Sequence, residues 1–399
     1  MNMSPKQAEK TGQLGTTRIA YITLSSKMSG AEFSLLRLMR GLDQRKFHPV
    51  LLLPEPGPFQ DQAEKLGIET VILAQLIKFG EHFRWYKIPK AWLAVCRLRR
   101  IIRAKKILLV HVNSPRAAYI GGLAARLSGV PSLTHVRDIQ QSPFASPLKS
   151  RLLGFISNRI IAVSKATADA ILKVNPGLTE KTEVIYNGFD MNMFASVPRR
   201  DIRTEWAIPP LAKIIGSVGM IHPNKGQDIL VRAVARLKAS IPSIKLLLIG
   251  EVFHPNAEAY KNRLEKLAAE LGIKEDVVFT GFREDVLTLV RGLDVFVHPA
   301  VFPDPLPGAL IEAAALGKAI VAARVGGVAE IVEHEESALL LEAGDVDSLV
   351  AALLDLLENP EKSKRLGRQA RTRAAALFAI ENYVQGVSSV YERLIEGKI

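Results

Sequence analysis

Short apolar runs alternate with stretches of helical periodicity along most of the 399 residues, and the alternation breaks once and then resumes. Short apolar runs bounded by turn residues read as strands buried on both faces, and apolar residues recurring every three or four positions read as helix. Strand and helix in strict alternation predict a parallel sheet with crossover helices. In the first half the expected strands are Arg18–Leu24, Pro49–Leu53, Thr70–Leu73, Leu108–Val112, Ser132–His135, Ile160–Val163 and Val184–Ile185, with helices such as Ala31–Leu42 and Pro115–Leu127 between them. The break, Ala195–Ala212, holds Pro198, Pro209, Pro210 and a cluster of charges, and reads as a linker. Strands are then expected at Ile214–Val218, Lys245–Ile249, Val277–Phe279, Val295–Val297 and Ile320–Ala322, with helices including Gln227–Ala239 and Asn256–Leu271. Three helical segments close the chain, near Val346–Leu357, Glu361–Leu377 and Glu381–Ile395. The expected class is therefore α/β, with two Rossmann-like domains facing across a cleft. The domains would be residues 18–195 and 196–378, preceded by a disordered tail (1–17) and followed by a helix (379–399) crossing back to the first domain. Open parallel sheets bind ligands beyond the carboxyl ends of their strands.

Composition narrows the setting. The one cysteine, Cys96, excludes an intramolecular disulfide and a cysteine-cluster zinc site, and suits a reducing cytoplasm. Residues 1–17 lack the apolar core of a signal peptide, and no run approaches the roughly 20 apolar residues of a membrane span. The expected location is cytoplasmic, either soluble or peripheral on a membrane. The net charge of +13 is uneven: residues 1–200 carry 30 Lys+Arg against 13 Asp+Glu, or +17, and the remainder 23 against 27, or −4. A basic half suits an anionic partner, the alternative being a solvated basic surface.

Four loops, each after an expected strand, carry chemistry. In the first, Val297 ends a strand, Asp304 follows, and a helix opens near Pro307, a residue favoured at the first helical position. The N–H groups of Gly308, Ala309 and Leu310 would then head an anion site, with Asp304 and Glu312 placed to accept hydrogen bonds from sugar hydroxyls. An ordinary βα unit with a surface acid reads equally well from this segment alone. In the second, Gly219 and Lys225 lie between a strand and a helix, and a lysine there is a point charge suited to phosphate, or a solvated turn residue. The glycine spacing is neither that of a P-loop nor Gly-x-Gly-x-x-Gly. The third centres on Gly30, where the backbone can approach a ligand or simply turn. The fourth is Thr134-His135-Val-Arg137-Asp138, where His135 would face the cleft or serve the core.

Together these loops resemble the retaining glycosyltransferases of the GT-B fold, group 1 (family 4), over about Arg18 to Ile380. The acid–seven residues–acid spacing from Asp304 to Glu312 is similar to that family's signature. So are Gly326-Gly327-Val-Ala-Glu330, Val163-Ser-Lys165-Ala166, Ile185-Tyr-Asn187-Gly188-Phe-Asp190 and Thr280-Gly281-Phe282. The resemblance implies a nucleotide-sugar donor, UDP- or GDP-linked, and transfer to a glycan or lipid-linked acceptor with retention of configuration. Lys225 would neutralise the diphosphate, Glu312 hold the ribose, and Asp304 lie near the sugar. His135 would face the sugar from the other domain, and the Gly30 loop would close on the diphosphate. No metal or other cofactor is implied, because basic residues and helix termini supply the charge stabilisation. The single Asp-x-Asp match, Asp345-Val-Asp347, precedes a helix and reads as its cap. Three positions depart from the family. Met220 stands where Arg is usual, leaving Arg137 and Arg283 as candidates for the missing guanidinium. Asp304 replaces Glu. Pro305 and Pro307 remove two N–H groups.

The segment from Arg84 to Lys106 contains no acid and interleaves basic and apolar residues with Trp85 and Trp92, a pattern that suits an anionic membrane surface or a core-facing helix with a basic back. A nucleotide-sugar-binding protein without transferase activity and a sugar-nucleotide epimerase are the competing readings. No nucleic-acid-binding module is recognisable.

Overall fold

The computed structural model describes residues 16–76, 88–139, 146–252 and 255–397. The chain divides into two compact units. One takes in the chain up to Val163, Ala168–Gly188 and the stretch from Ile380, and the other takes in Ser164–Thr167 and Phe189–Ala379.

The first unit is built on seven parallel strands: β1 (Thr17–Ile22), β2 (Phe47–Leu53), β3 (Glu69–Ile72), β4 (Leu109–Val112), β5 (Ser132–Val136), β6 (Arg159–Ala162) and β7 (Thr182–Val184). Their order across the sheet is β3-β2-β1-β4-β5-β6-β7. The crossovers hold α1 (Gly30–Gly41), α2 (Pro58–Lys65), α3 (Ile88–Ala104), α4 (Pro115–Arg126), α5 (Pro147–Ile156) and α6 (Lys165–Val174), whose first residues, up to Thr167, belong to the second unit. Strand alternation sends Ala20, Ile22, Leu52, Val110 and Val112 into one core with α3, α4 and α5. It sends Ile19, Tyr21, Leu51, Leu109 and Leu133 into a second core with α1 and the last helix of the chain. Both faces are covered, which is why these strands read as continuous apolar runs.

The second unit repeats the plan with six parallel strands: β8 (Lys213–Val218), β9 (Ile244–Ile249), β10 (Val277–Gly281), β11 (Val295–His298), β12 (Ala319–Ala323) and β13 (Leu339–Leu341), ordered β10-β9-β8-β11-β12-β13. Its helices are α7 (Met191–Ala195), α8 (Gln227–Leu237), α9 (Pro255–Glu270), α10 (Val286–Gly292), α11 (Gly308–Ala315), α12 (Val328–Ile331), α13 (Val346–Glu358) and α14 (Pro360–Phe378). The last helix, α15 (Ile380–Ile395), packs in the first unit, where Tyr383, Val387, Tyr391 and Leu394 are buried.

The twelve strands expected from the sequence all occur, within a few residues of their expected ends. The thirteenth, β13, is three residues long and follows the charged stretch Glu333–Glu336, so no periodicity announces it. In each sheet the order reverses at one place, between β1 and β4 and between β8 and β11. Such switch points open a crevice at the strands' carboxyl ends.

Candidate active site

The second unit's switch point gathers the residues singled out in two of the loops. Lys225 follows β8 and Asp304 follows β11, and these strands are hydrogen-bonded neighbours. Lys225 Nζ lies 2.5 Å from Asp304 Oδ2, and both side chains are largely covered, at 27% and 16% exposure. The local sequence builds this closeness. His222 Nδ1 accepts from the Asn224 N–H, setting a tight turn over 223–225. Gly226 ends that turn at φ +66°, where a Cβ would fall 2.0 Å from the Pro299 carbonyl oxygen, so only glycine fits. Gly219 lies beside the Lys225 stem, with an added Cβ 3.9 Å from it.

The Asp304 backbone is held by the Gly326-Gly327 pair. The Gly327 N–H donates to the Asp304 carbonyl at 2.8 Å. A Cβ on Gly326 would come within 2.1 Å of the same oxygen, and one on Gly327 within 2.1 Å of the Pro305 oxygen. The two glycines therefore let one loop lie directly on the other.

α11 begins one residue later than expected. Pro307 is its cap, with extended backbone, and Gly308 is the first helical residue. The N–H groups of Gly308 and Ala309 head the helix and have no backbone acceptor among the described residues. Leu310 is a correction: its N–H is bonded to the Pro307 carbonyl at 3.1 Å and its side chain is fully buried, so it offers nothing to a ligand. Glu312 stands one turn after Gly308 and is half-buried. His298, which ends β11, is buried; burial pushes its imidazole down to about 4, with Asp304 opposing and Lys225 adding to the shift.

His135, in the first unit, does not present its ring at the strand end. It is fully buried, with His111 and Tyr383 against it. Burial, Arg137 and His111, in that order, hold its imidazole well below the usual range, so it is neutral. Its Nδ1 accepts from Arg137 at 3.2 Å and faces His111 Nε2 at 3.3 Å. His111 Nδ1 in turn meets the Tyr391 hydroxyl at 2.5 Å. The reason is positional: residues 133 and 135 share the strand face covered by α1 and α15.

Arg137, two residues further on, is anchored by its surroundings where the sequence pattern alone marks it only as a neighbour of His135. Its guanidinium donates to Asn113 (2.8 Å), Ser34 (2.9 Å), Asn187 (2.5 Å), His135 (3.2 Å) and the Tyr383 hydroxyl (2.9 Å). All five acceptors are neutral, so among the described residues the cation is fixed without a carboxylate partner. Arg283 is the opposite case, clamped by Glu205 and Asp285. Of the two candidates for the missing guanidinium, Arg283 is ion-paired, whereas Arg137 has no carboxylate partner among the described residues. Gly30 heads α1, and a Cβ there would meet nothing within 4 Å, so close approach does not require glycine. Met220 is half exposed.

Two further motif residues have structural work. Glu330 accepts from the N–H groups of Lys165 (2.7 Å) and Ala166 (2.9 Å), filling the N-terminus of α6. Asp345 caps α13 through Ser348, as expected from its place before the helix. Among the described residues no group of three or more His, Cys, Asp or Glu could hold a metal ion.

Residues 198–373 match the family model of glycosyl transferases group 1, and residues 28–192 match that of glycosyltransferase family 4. Over 388 residues the chain is 32% identical to the MMP alpha-(1->4)-mannosyltransferase of Mycolicibacterium hassiacum, covering 89% of this chain and 88% of that one. The chain belongs to the group 1 glycosyltransferases. Another relative is the UDP-Gal:alpha-D-GlcNAc-diphosphoundecaprenol alpha-1,3-galactosyltransferase of Escherichia coli, 21% identical over 96% of this chain and 98% of that one. The chain spans about half the length (51%) of the first curated relatives it matches, mycobacterial D-inositol 3-phosphate glycosyltransferases. Among solved structures, HepE of Anabaena, determined with UDP and glucose, superposes with a TM-score of 0.79 at 24% identity, over 94% of this chain and 99% of that one. The chain therefore has the GT-B fold, with two Rossmann-like domains.

Proposed function

We propose that the protein transfers a sugar, with retention of configuration, from a nucleoside-diphosphate sugar to a glycan or lipid-linked glycan acceptor. The observation that carries this reading is the Lys225–Asp304 pair at the β8/β11 switch point, next to the N-terminus of α11. Breaking the donor bond leaves negative charge on the departing diphosphate and positive charge on the anomeric carbon. Groups already oriented toward such charge lower the barrier. Lys225 and the N–H groups of Gly308 and Ala309 would take the diphosphate, Asp304 would lie by the sugar, and Glu312 would hold the ribose. In a front-face route the bond from the anomeric carbon to the diphosphate oxygen breaks as the acceptor oxygen bonds to that carbon. The departing phosphate takes the acceptor's proton. His135, sealed and neutral, then acts by fixing Arg137 and not by touching the sugar.

A UDP-linked donor has the better support, since HepE is described with UDP and the Escherichia coli relative is named for UDP-Gal. The same relative, named for a diphosphoundecaprenol-linked substrate, supports a lipid-linked acceptor. Thermal stability against UDP-, GDP-, ADP- and TDP-sugars tests the donor reading. A ligand at about 100 times its dissociation constant adds roughly 2.7 kcal/mol. The expected result is a shift with one nucleotide that is lost in Lys225→Ala and in Glu312→Ala. No shift with any of them in folded protein would overturn it.

A further inference from the structure

One helix of the first unit breaks the rule that an outer face is polar. α5 buries Ser150, Leu153, Gly154 and Ile156. Leu148, Leu152 and Phe155, at i, i+4 and i+7 on the opposite side, are 76%, 45% and 56% exposed. A surface helix ordinarily turns one apolar stripe to the core and a polar face outward. Here the outer ridge meets no covering element among the described residues, and its edge is basic. Lys149 and Arg151 are exposed on the same helix. Arg126 of α4 stacks its guanidinium 3.8 Å above the Phe155 ring.

The ridge belongs to a larger surface. α4 packs between α3 and α5, so the three helices form one layer over the sheet. Across their 39 residues there are nine Lys and Arg (Lys90, Arg97, Arg99, Arg100, Arg103, Arg116, Arg126, Lys149, Arg151) and no Asp or Glu. Trp92 and Leu93 add exposed apolar area on α3, at 54% and 46%. The part of the basic segment that starts at Arg84 lies outside the described residues, but α3 itself holds five of these charges.

We propose that this α3–α4–α5 face docks on an anionic lipid bilayer, with Leu148, Leu152 and Phe155 entering the headgroup region and the basic residues meeting lipid phosphates. Charge complementarity selects an anionic partner, and the apolar ridge selects among anionic partners. Exposed leucines on the face gain nothing from a nucleic-acid backbone, whereas a bilayer interface rewards apolar burial beside basic charge. Docking would bring the enzyme to lipid-linked substrates. The proposal does not rest on the transfer reaction, because membrane binding is measured without it.

Flotation of the full chain with phosphatidylglycerol and with phosphatidylcholine vesicles is the test. Two variants accompany it: the ridge triple Leu148→Ser/Leu152→Ser/Phe155→Ser and the charge triple Arg100→Gln/Lys149→Gln/Arg151→Gln. Both change exposed side chains, and an unaltered melting temperature with an unaltered nucleotide shift confirms that they fold. Expected are flotation with phosphatidylglycerol only, weakening with salt, and a fall of about tenfold or more in the bound fraction for each variant. No flotation with phosphatidylglycerol at low salt overturns the proposal. So does a ridge variant that floats like the parent protein. Binding to a DNA oligonucleotide in preference to vesicles, unchanged in the ridge variant, would reassign the face to a polyanion.

Discussion

At the residue scale the candidate site is self-neutralised: Lys225, proposed to meet the diphosphate, is paired with the Asp304 carboxylate. A ligand must exchange places with Asp304 or share Lys225 with it. Asp304→Asn keeps the shape and removes the competing charge. It is expected to tighten binding of free UDP several-fold, because Lys225 is left uncompensated in a partly desolvated site, and to lower the transfer rate. Calorimetric titration with UDP, beside a rate measurement, checks both; weaker UDP binding would show that Asp304 organises the site more than it competes for it. Gly226 is the site's least replaceable backbone position. Gly226→Ala must bear left-handed strain of about 1–3 kcal/mol and a collision with the Pro299 oxygen. Urea denaturation should show a loss above that range, and Lys225 displaced from Asp304 should weaken nucleotide binding in parallel.

At the scale of elements, helix N-termini divide the labour. The N-termini of α6 and α11 are both electrostatically suited to anions. Glu330 occupies that of α6 with both carboxylate oxygens, while that of α11 has Gly308 and Ala309 at its head. Glu330→Ala removes two charge-assisted hydrogen bonds and should cost about 1–2 kcal/mol. Faster hydrogen exchange in residues 165–170, with unchanged UDP affinity, is the expected signature. A loss of UDP affinity instead would place Glu330 in donor binding. Sequence pattern alone could not separate the two termini, because both follow a parallel strand and both are matched by family motifs.

At the scale of the whole molecule, acid stability follows from three buried histidines. Burial holds His298 down to about 4 and His111 down to about 3, Arg137 adding to the latter shift, and His135 lies well below its usual value. In the unfolded chain these imidazoles take up protons near 6.5. As pH falls below 6.5 the unfolded state binds protons that the folded state refuses, so stability falls. The loss continues to about 4 for His298 and about 3 for His111. At pH 5 each such histidine should cost about 2 kcal/mol. Denaturation midpoints measured from pH 7.5 to 5 should drop steadily, and His298→Gln should flatten the slope by one histidine's share. An unchanged slope in that variant would mean that His298 is protonated in the fold.

The strand–helix alternation was enough to set the α/β class, the twelve strands of Thr17–Ala323 and the break before the second unit, because burial on both sheet faces forces apolar runs into the sequence. The loops bearing Lys225, Asp304 and Glu312 were legible for a related reason: a chain that turns tightly from strand to helix must place glycine, proline and acid at fixed offsets. Side-chain direction was not legible. Whether His135 or Arg137 carries an available charge depends on which helices cover that strand face, and α15, from the far end of the chain, supplies Tyr383 against His135 and Tyr391 against His111. Whether Leu310 or Gly308 offers its N–H depends on one residue of helix phase at Pro307. Which basic residues are ion-paired also depends on partners far apart in the chain: Glu205 pairs with Arg283, 78 positions away, while among the described residues Arg137 meets neutral groups on five separate segments. Periodicity records burial, but partnership is a property of the folded chain.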